Sequence, residues 1–406
     1  MSALKYWLWL ATRRGVGVLG VQRVLEQFGT PERAYFADPG ELELLSPAAA
    51  AGLRDRSMDK AERILADCER LGIRIMTIQD ADYPERLRQL EDAPQILYLK
   101  GRLTQLDEEV TVGVVGSREA SEYGVQVAGR LGLDLARGGA VIVSGTAAGI
   151  DSCAVRGALR GGGRAVCVLG GGIDVPYPSW NGPLYQDVCA NGLLISEYPP
   201  GTTNDGPHFP VRNRILSGLS LGVVVVEAKE FGSGALITAN HALEQNRDVF
   251  AVPGNVDAYN SRGCIRLIQQ GAKPVLSAED ILVEYRDRYP ARLVRVPPLS
   301  GEEAAQRLDH TATRPDTPLR QKTSVDKTKD KEYSLNKRSP KGLTDDELAI
   351  LHALTEKSAQ PDELVERTQI PARRVLSALT MLQIAGCVEE GPGKRFACLV
   401  ELTEDE

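Results

Sequence analysis

The sequence predicts an α/β protein in which a doubly wound sheet follows a small helical domain and precedes a C-terminal winged helix. Three observations support this prediction. Short apolar runs alternate with helical stretches between about residues 70 and 285, a charged stretch rich in Thr and Pro follows, and helical periodicity returns in the tail. Apolar runs of this kind are typical of parallel strands that are covered on both faces.

The composition describes an ordinary soluble protein. The chain has 406 residues, of which 42% are apolar and 25% are charged, and this length suits two or three domains. It contains neither a signal peptide nor a run of about 18–20 apolar residues, the length that a membrane span requires. We therefore expect a cytoplasmic protein without a membrane partner.

The charge and the cysteines limit the class of site. A net charge of −7 argues against a surface that is basic throughout, so any nucleic-acid site must be a local patch. The seven cysteines include no CxxC pair, which argues against a zinc site and a disulfide framework. We expect no metal and no other cofactor. We also expect buried thiols at Cys68, Cys153, Cys167, Cys189, Cys264, Cys387 and Cys398.

Residues 1–68 are predicted to form the small helical domain. The segment 13–35 combines a glycine-bearing hairpin with an amphipathic helix. Its apolar residues share one side of that helix, which gives the segment a face for a core. These residues are Val21, Val24, Leu25 and Phe28.

Residues 69–285 are predicted to form the doubly wound domain. Its helices include 122–137, 152–160 and 236–246. Two earlier apolar runs, 73–78 and 95–100, are expected to extend the sheet. The main strands are predicted at 111–115, 140–144, 164–169, 193–196, 222–227 and 248–252.

The last two regions differ in composition. Residues 286–341 hold few large apolar side chains and many charges, so they are predicted to be a disordered linker. Residues 342–406 are predicted to form three helices and a hairpin, which is the shape of a winged helix. Thr344 and Glu347 have the spacing of a capping box at the first of these helices. Winged helices contact DNA or protein or dimerise, so the shape does not decide function.

Residue types suited to phosphate follow several of the predicted strands. Ligands of a doubly wound sheet bind at the carboxyl ends of its strands. Glycine lets the backbone approach a ligand closely, and helix N-termini attract anions. The loops after the first, second, third and fifth strands supply Gly116, Ser117, Arg118, Gly145, Gly171, Lys229, Ser233 and Gly234.

The segment 209–220 adds an aromatic ring to these loops. Phe209 offers a flat apolar face for a base, and Arg212 and Arg214 offer guanidinium groups suited to phosphate oxygens. Structural ion pairs at the start of a helix are the alternative explanation for the two arginines. With the glycine loops, the segment predicts a surface that holds single-stranded nucleic acid by charge and stacking.

Enzymatic functions are the alternative class. The GxGxxG spacing and the later acidic residue of dinucleotide enzymes are absent, and so is the P-loop motif. A nucleotide N-glycosidase-type enzyme on a related fold stays open, with Glu197 or Glu227 as catalytic carboxylate, although its PGGxGT signature is absent. Glu227 is otherwise expected to pair with an arginine. Asp151 and Asp174 are expected to cap helices or tie loops.

The order and spacing of the motifs resemble the bacterial DNA-processing protein DprA (Smf) family over nearly the whole chain. The matching segments are 113–124, 144–151, 168–178, 195–202, 209–220, 224–228, 233–254 and 267–272. The resemblance implies a Rossmann-like core that binds single-stranded DNA without catalysis and forms a homodimer. It also implies a role in natural transformation, in which incoming strands are protected and the recombinase RecA is loaded onto them. The N-terminal helices resemble the family's helix-hairpin-helix or SAM-like module, and the tail resembles its winged helix.

The resemblance assigns DNA binding to the positions that match the family's two motifs. The Gly-Ser/Ala-Arg motif falls on residues 116–118, and the phenylalanine and arginine motif falls on residues 209–214. Two departures concern contacts to DNA, since Val155 stands where members often have histidine and Gly206 where they often have a basic residue. The predicted site consists of Gly116, Ser117, Arg118, Gly145, Gly171, Phe209, Arg212, Asn213, Arg214, Lys229, Ser233 and Gly234.

Overall fold

The computed structural model describes residues 2–102, 105–295, 299–308, 336–338, 344–356, 359–384, 387–391, 395–398 and 400–402. These residues fall into two compact units, one within residues 1–317 and the other within residues 318–406. The first unit contains the large sheet, and the second contains three helices with short strands.

Six helices open the first unit and share a hydrophobic core with the sheet. They are α1 (Ser2–Ala11), α2 (Val18–Phe28), α3 (Pro31–Tyr35), α4 (Pro39–Leu42), α5 (Pro47–Arg54) and α6 (Asp59–Leu71). The apolar face predicted for α2 is confirmed, with Val21 and Val24 buried. Trp9 is fully buried in a cluster that also includes Ile96 and Cys167. The boundary expected at residue 68 is therefore not a break in packing.

A nine-stranded sheet forms the centre of the first unit. Its strands are β1 (Arg74–Thr77), β2 (Ile96–Gly101), β3 (Thr111–Val115), β4 (Val141–Ser144), β5 (Ala165–Leu169), β6 (Leu193–Ser196), β7 (Gly222–Val225), β8 (Asp248–Ala251) and β9 (Lys273–Pro274). The order is β1-β2-β6-β5-β4-β3-β7-β8-β9, and the strands from β6 to β9 in this order are parallel. β2 pairs antiparallel with β6, and β1 pairs antiparallel with β2. The two early apolar runs therefore extend the sheet as predicted.

Helices cover both faces of this sheet, which explains why its strands are apolar throughout. They are α7 (Glu85–Arg88), α8 (Glu122–Arg137), α9 (Ile150–Arg160), α10 (Gly182–Asn191), α11 (His208–Leu219), α12 (Gly234–Glu244), α13 (Arg262–Gln269) and α14 (Glu279–Leu282). One face packs against α8, α9, α10, α14 and the N-terminal helices. The other packs against α7, α11, α12 and α13. The doubly wound arrangement is confirmed.

The order of the strands reverses between β3 and β7. From β3 the chain moves outward through β4, β5 and β6, and it then returns to place β7 on the other side of β3. The loops that leave the carboxyl ends of these two strands diverge at such a reversal. The crevice between them is where open α/β sheets bind ligands. These loops begin at Gly116 and Val226.

The first unit continues beyond the boundary expected at residue 285. Leu293 is buried in the core on the α8 face, and Tyr289 packs against the same cluster. The helix α15 (Gly301–Leu308) follows, and Arg160 donates a hydrogen bond to the Arg307 carbonyl oxygen at 3.1 Å. These contacts order the first part of the predicted linker. Residues 309–335 of that linker lie outside the described residues.

The second unit has the predicted winged-helix elements. They are β10 (Asn336–Arg338), α16 (Asp345–Glu356), α17 (Pro361–Thr368), α18 (Ala372–Ile384), β11 (Val388–Gly391), β12 (Arg395–Cys398) and β13 (Val400–Leu402). β11 and β12 form an antiparallel hairpin, and β10 pairs parallel with β13. The predicted capping box is present. The Glu347 amide donates to Thr344 Oγ1 at 3.3 Å, and the Thr344 amide donates to Glu347 Oε2 at 2.7 Å.

The cysteines are not joined in disulfides. Cys189 and Cys398 are half-buried, and the other five are buried as expected. In the described part of the chain, no helix is both long enough and apolar enough to cross a bilayer. The same residues contain no cluster of His, Cys, Asp or Glu side chains that would hold a metal ion.

Candidate nucleic-acid interface

A cleft of about 440 Å³ lies where the strand order reverses. Its walls come from the loop after β3, the start of α11, the loop after β7 and the first turn of α12. Gly145, Gly171 and Arg214 are the predicted site residues that do not line it. The cleft brings together Gly116, Ser117, Arg118, Phe209, Arg212, Asn213, Lys229, Ser233 and Gly234.

Arg118 is exposed and lies above a pair of aromatic rings. Its guanidinium carbon is 4.5 Å from the centroid of the Phe209 ring and 5.8 Å from that of Tyr177. The two ring centroids are 4.9 Å apart, and Arg118 Nη1 donates to the Tyr177 hydroxyl at 3.4 Å. Because a cation is attracted to the face of an aromatic ring, this contact holds a positive charge beside a surface suited to a base.

Close packing shapes the loop that carries Arg118. A Cβ atom on Gly116 would lie 2.5 Å from Ile150 Cγ1, so glycine lets the loop pass over the start of α9. Ser121 caps α8, and its amide donates to Glu227 Oε2 at 2.9 Å. The Ser121 hydroxyl also donates to the Glu227 carboxylate. Glu227 therefore holds this loop, and the predicted pairing of Glu227 with an arginine was wrong.

The N-terminus of α12 forms another wall of the cleft. Ser233 is its N-cap residue, but the side chain accepts no capping hydrogen bond, and the first turn contains no acidic residue. A Cβ atom on Gly234 would meet no atom within 4 Å, so the cleft is open here. The free amides and the positive end of the helix dipole favour an anion at this place. Lys229 Nζ on the preceding loop is 3.3 Å from a carboxylate oxygen of Glu119.

Asp151 and Arg212 are buried charges that attract each other at the cleft. Burial raises the pKa of Asp151 to about 6, against the attraction of Arg212 and Arg118. Burial lowers the pKa of Arg212, and the charge of Asp151 opposes this effect. Arg212 also donates to the carbonyl oxygen of Val168. Part of the hydrogen-bonding capacity of the Arg212 guanidinium group is therefore taken by the Val168 carbonyl oxygen inside the protein.

The Asp151 carboxylate also accepts hydrogen bonds from the backbone amides of Gly116 and Gly145. The sequence predicted that such glycine amides would be free to meet phosphate. In the structure these amides stabilise the buried Asp151 carboxylate instead, because Asp151 lies at the start of α9 beside both loops. Asp151 therefore ties loops, as the sequence predicted for it.

Arg214 does not line the cleft, because it is held in ion pairs. Its Nε atom is 2.9 Å from Asp92 Oδ2, and its Nη2 atom donates to both carboxylate oxygens of Glu197 at 2.8 and 3.0 Å. The side chain is 5% exposed. Burial raises the pKa of Glu197, and the attraction of Arg214 opposes that change. This is the structural ion pair that the sequence left open as an alternative.

Comparison with known proteins agrees with this architecture. The family model described as DNA recombination-mediator protein A matches residues 74–286, and the model of the DprA winged helix domain matches residues 336–394. The chain is 33% identical to protein Smf of Synechocystis sp., over 97% of this chain and 98% of that relative. The chain belongs to the DNA recombination-mediator protein A (DprA/Smf) family.

Other members of this DprA/Smf family give the same picture. The DNA processing protein DprA of Bacillus subtilis is 44% identical over 56% of this chain and 77% of its own length. The crystal structure of DprA from Streptococcus pneumoniae matches 70% of this chain and 99% of that chain, at a TM-score of 0.63 and 37% identity. The predicted fold class and family are confirmed. Membership gives the chain a role in DNA processing and the mediation of recombination.

The remaining predicted positions of this DprA/Smf chain have packing roles. A Cβ atom on Gly145 would lie 2.6 Å from Arg212 Nη1, and one on Gly171 would lie 2.8 Å from Asn204 Cγ. Both glycines therefore allow close packing behind the cleft. Asp174 accepts a hydrogen bond from the Gly201 amide at 2.8 Å, which is the loop contact predicted for it.

The two departures from the DprA/Smf pattern lie in different environments. Val155 is fully buried in the hydrophobic core, so its side chain does not face the cleft. Gly206 lines the cleft, and a Cβ atom there would meet no atom within 4 Å. Only the departure at Gly206 therefore affects the wall of the candidate site.

The sequence reasoning missed Tyr177. This residue lies in the same loop as Gly171, and Gly171 is the residue of that loop that the sequence assigned to the site. Its ring lies beside Phe209 and beneath Arg118, so it completes the aromatic surface. A tyrosine between two prolines at the end of a strand loop is the signal that was available.

Proposed function

We propose that the cleft of this DprA/Smf chain binds single-stranded DNA without catalysing a reaction on it. Arg118 and Lys229 neutralise phosphates, and the free amides at the start of α12 donate hydrogen bonds to the oxygens of another phosphate. Phe209, with Tyr177 beside it, stacks a base. Ser117, Asn213 and Gly234 shape the walls between these groups. Single strands are preferred because a paired base cannot reach the aromatic ring.

The exposed guanidinium of Arg118, 4.5 Å above the Phe209 ring, carries this proposal. The pair lies at the reversal of strand order, in the same cleft as an uncapped helix N-terminus. A cleft that combines positive charges with a stacking surface suits single-stranded nucleic acid, because its backbone is charged and its bases can stack. A small neutral ligand would use no more than one of these features.

The two carboxylates considered for catalysis are both engaged inside the protein. Glu197 is engaged by Arg214, and Glu227 is engaged by Ser121. Neither lines the cleft, so the N-glycosidase-type alternative loses both of its proposed carboxylates. We therefore include the absence of catalysis in the proposal.

The proposal extends to the partners of the bound strand. The protein protects incoming strands and passes them to the recombinase RecA, a role that the family description as a recombination mediator supports. It acts in the cytoplasm as a homodimer formed through the Rossmann-like core, in natural transformation. Strand exchange by RecA on strands coated with a single-strand binding protein measures the loading. Light scattering coupled to gel filtration measures the oligomer.

Replacement of Arg118 tests the DNA site directly. We expect Arg118→Ala to weaken binding of an oligothymidine, measured by fluorescence anisotropy, because one phosphate contact and one cation beside the stacked base are lost. The slope of log affinity against log salt should become shallower by about 0.7. Arg74→Ala, at an exposed arginine on β1, should leave both values unchanged. Unchanged affinity and slope in Arg118→Ala would refute the proposed site.

A further inference from the structure

Two aromatic rings are exposed beside the cleft. The side chain of Phe231 is 73% exposed and that of Tyr259 is 61% exposed. Each ring has a cation over it, since Arg266 is 5.7 Å from the Phe231 centroid and Lys229 Nζ is 5.5 Å from the Tyr259 centroid. Single exposed apolar side chains are common on protein surfaces. Exposed aromatic rings accompanied by cations are the features on which nucleic-acid bases stack.

The surface formed by Lys229, Phe231, Tyr259, Arg262 and Arg266, here called the outer platform, is continuous with the cleft. Lys229 lines the cleft and also contacts Tyr259. Phe231 lies between Lys229 and Gly232, and both of these neighbours line the cleft. A strand that leaves the cleft along the loop after β7 therefore meets the outer platform next.

Hydrogen bonds fix the turn that carries Tyr259 to the wall of the cleft. The side-chain amide of Asn260 donates to the backbone carbonyl oxygen of Glu119 at 2.9 Å. The backbone carbonyl oxygen of Asn260 accepts from the Ala228 amide at 2.7 Å. Glu119 is a cleft residue, and Ala228 precedes Lys229. The position of Tyr259 relative to the cleft is thus set by the fold.

The charges of the outer platform leave cations available to phosphate. Arg262 and Arg266 are both exposed, and α13 places them four residues apart, on one side of the helix. Neither forms an ion pair among the described residues, although Asp257 is close to Arg262 in sequence. Lys229 pairs with Glu119, but the Glu119 side chain is 83% exposed, so water competes for that pair.

We propose that the outer platform is a second binding station for the same single-stranded DNA. Bases that follow the one on Phe209 stack on Phe231 and Tyr259, and the phosphates between them meet Arg262 and Arg266. This inference rests on the proposed function of the cleft, and it sets the direction and length of the strand that one chain holds. Short strands fill the cleft alone, whereas longer strands also reach the outer platform.

Binding of oligothymidines of two lengths tests this inference. For the whole chain, we compare strands of about 4 and about 16 nucleotides, the range of site sizes known for single-strand binding folds. Replacing both rings, as F231A with Y259A, should weaken binding of the long strand by at least about tenfold, the equivalent of about 1.4 kcal/mol, and leave the short strand unaffected. Arg262→Gln with Arg266→Gln should lower the salt slope of the long strand alone by about 0.7 per contact.

Matched variants separate the possible results. Phe36→Ala removes a residue that is 63% exposed among the N-terminal helices. It should change the binding of neither the short nor the long strand. Phe231→Trp keeps a stacking face and should retain long-strand binding. Phe231 and Tyr259 are exposed, so the melting temperature of their variants should stay close to that of the wild type and report correct folding.

Two outcomes would refute the outer platform alone, and a third would refute the cleft together with the platform. If Arg118→Ala weakens both lengths but the double ring variant binds both normally, the platform alone is refuted. If the double ring variant weakens both lengths equally, its rings act in the cleft and no second station exists. Normal binding of both lengths by Arg118→Ala refutes the cleft, and the extension is refuted with it.

Discussion

The loop after β3 and the first turns of α11 both carry arginine, but they use it differently. Arg118 on the loop is exposed, lies over an aromatic ring and takes part in no ion pair of the described residues. Arg212 and Arg214 on the helix are buried. Arg212 donates to the Val168 carbonyl oxygen, and Arg214 forms ion pairs with Asp92 and Glu197. The same residue type therefore presents charge to a ligand at one place and builds the wall of the site at the other.

Breaking the ion pairs of Arg214 should give the largest effect and should act on stability. Arg214→Met keeps most of the side-chain volume but leaves Glu197 buried without its partner. Removing one member of a buried pair costs about 3–5 kcal/mol. We expect the free energy of unfolding in urea to fall by an amount of this order.

The exposed pair of Arg74 with Asp82 provides the control for that variant. Its side chains are 49% and 52% exposed, so Arg74→Ala should change the unfolding free energy by no more than about 1 kcal/mol. A stable Arg214→Met protein with a shallower salt slope for DNA would contradict the contrast. Arg214 would then act as a ligand-binding arginine like Arg118.

The pH dependence of stability should reveal the buried carboxylate beside Arg212. The folded protein holds a proton on Asp151 up to a pKa of about 6, above the ordinary value of 3.8. Between these values the folded state binds more protons than the unfolded state, so this group lowers stability as pH rises and contributes a constant amount above about pH 6. The slope is about 1.4 kcal/mol per pH unit within the window.

Asp151→Asn isolates this contribution because the amide does not titrate. The difference in unfolding free energy, wild type minus Asp151→Asn, should fall between about pH 4 and pH 6 and then level off. Urea unfolding at several pH values measures it. A difference that rises with pH would mean that Arg212 and the two glycine amides hold the pKa below its ordinary value.

Much of the fold could be predicted from local patterns, whereas the roles of the arginines could not. The apolar runs of β3 to β8 are covered on both faces, so the sequence alone indicates parallel strands. The partners of Arg214 come from a loop before β2 and from the end of β6, which are far apart in sequence. The residues next to Arg214 in the sequence do not indicate these partners. Tyr177 likewise meets Phe209 only after the two loops have been brought together.

Removing the ring at Phe209 should weaken DNA binding without altering its salt dependence. Stacking of one base contributes about 1–3 kcal/mol, so Phe209→Ala should bind an oligothymidine less tightly by that amount. The number of phosphate contacts stays the same, and the salt slope should therefore stay the same. Phe209→Trp should restore most of the affinity. A shallower dependence of log affinity on log salt in Phe209→Ala would show that the ring serves mainly to position Arg118.

Adding a cation to the open wall of the cleft should give the smallest effect, and a gain. Gly206 lines the cleft, has room for a side chain and lacks a positive φ angle, so Gly206→Lys introduces a charge without backbone strain. An exposed contact of this kind contributes at most about 1 kcal/mol. It should nevertheless steepen the salt slope of oligothymidine binding by about 0.7. Gly206→Gln supplies a side chain of similar length without charge and should leave the slope unchanged. If Gly206→Lys binds like Gly206→Gln, phosphates do not pass this wall, and the cations of the cleft reach the strand from the Arg118 and Lys229 sides alone.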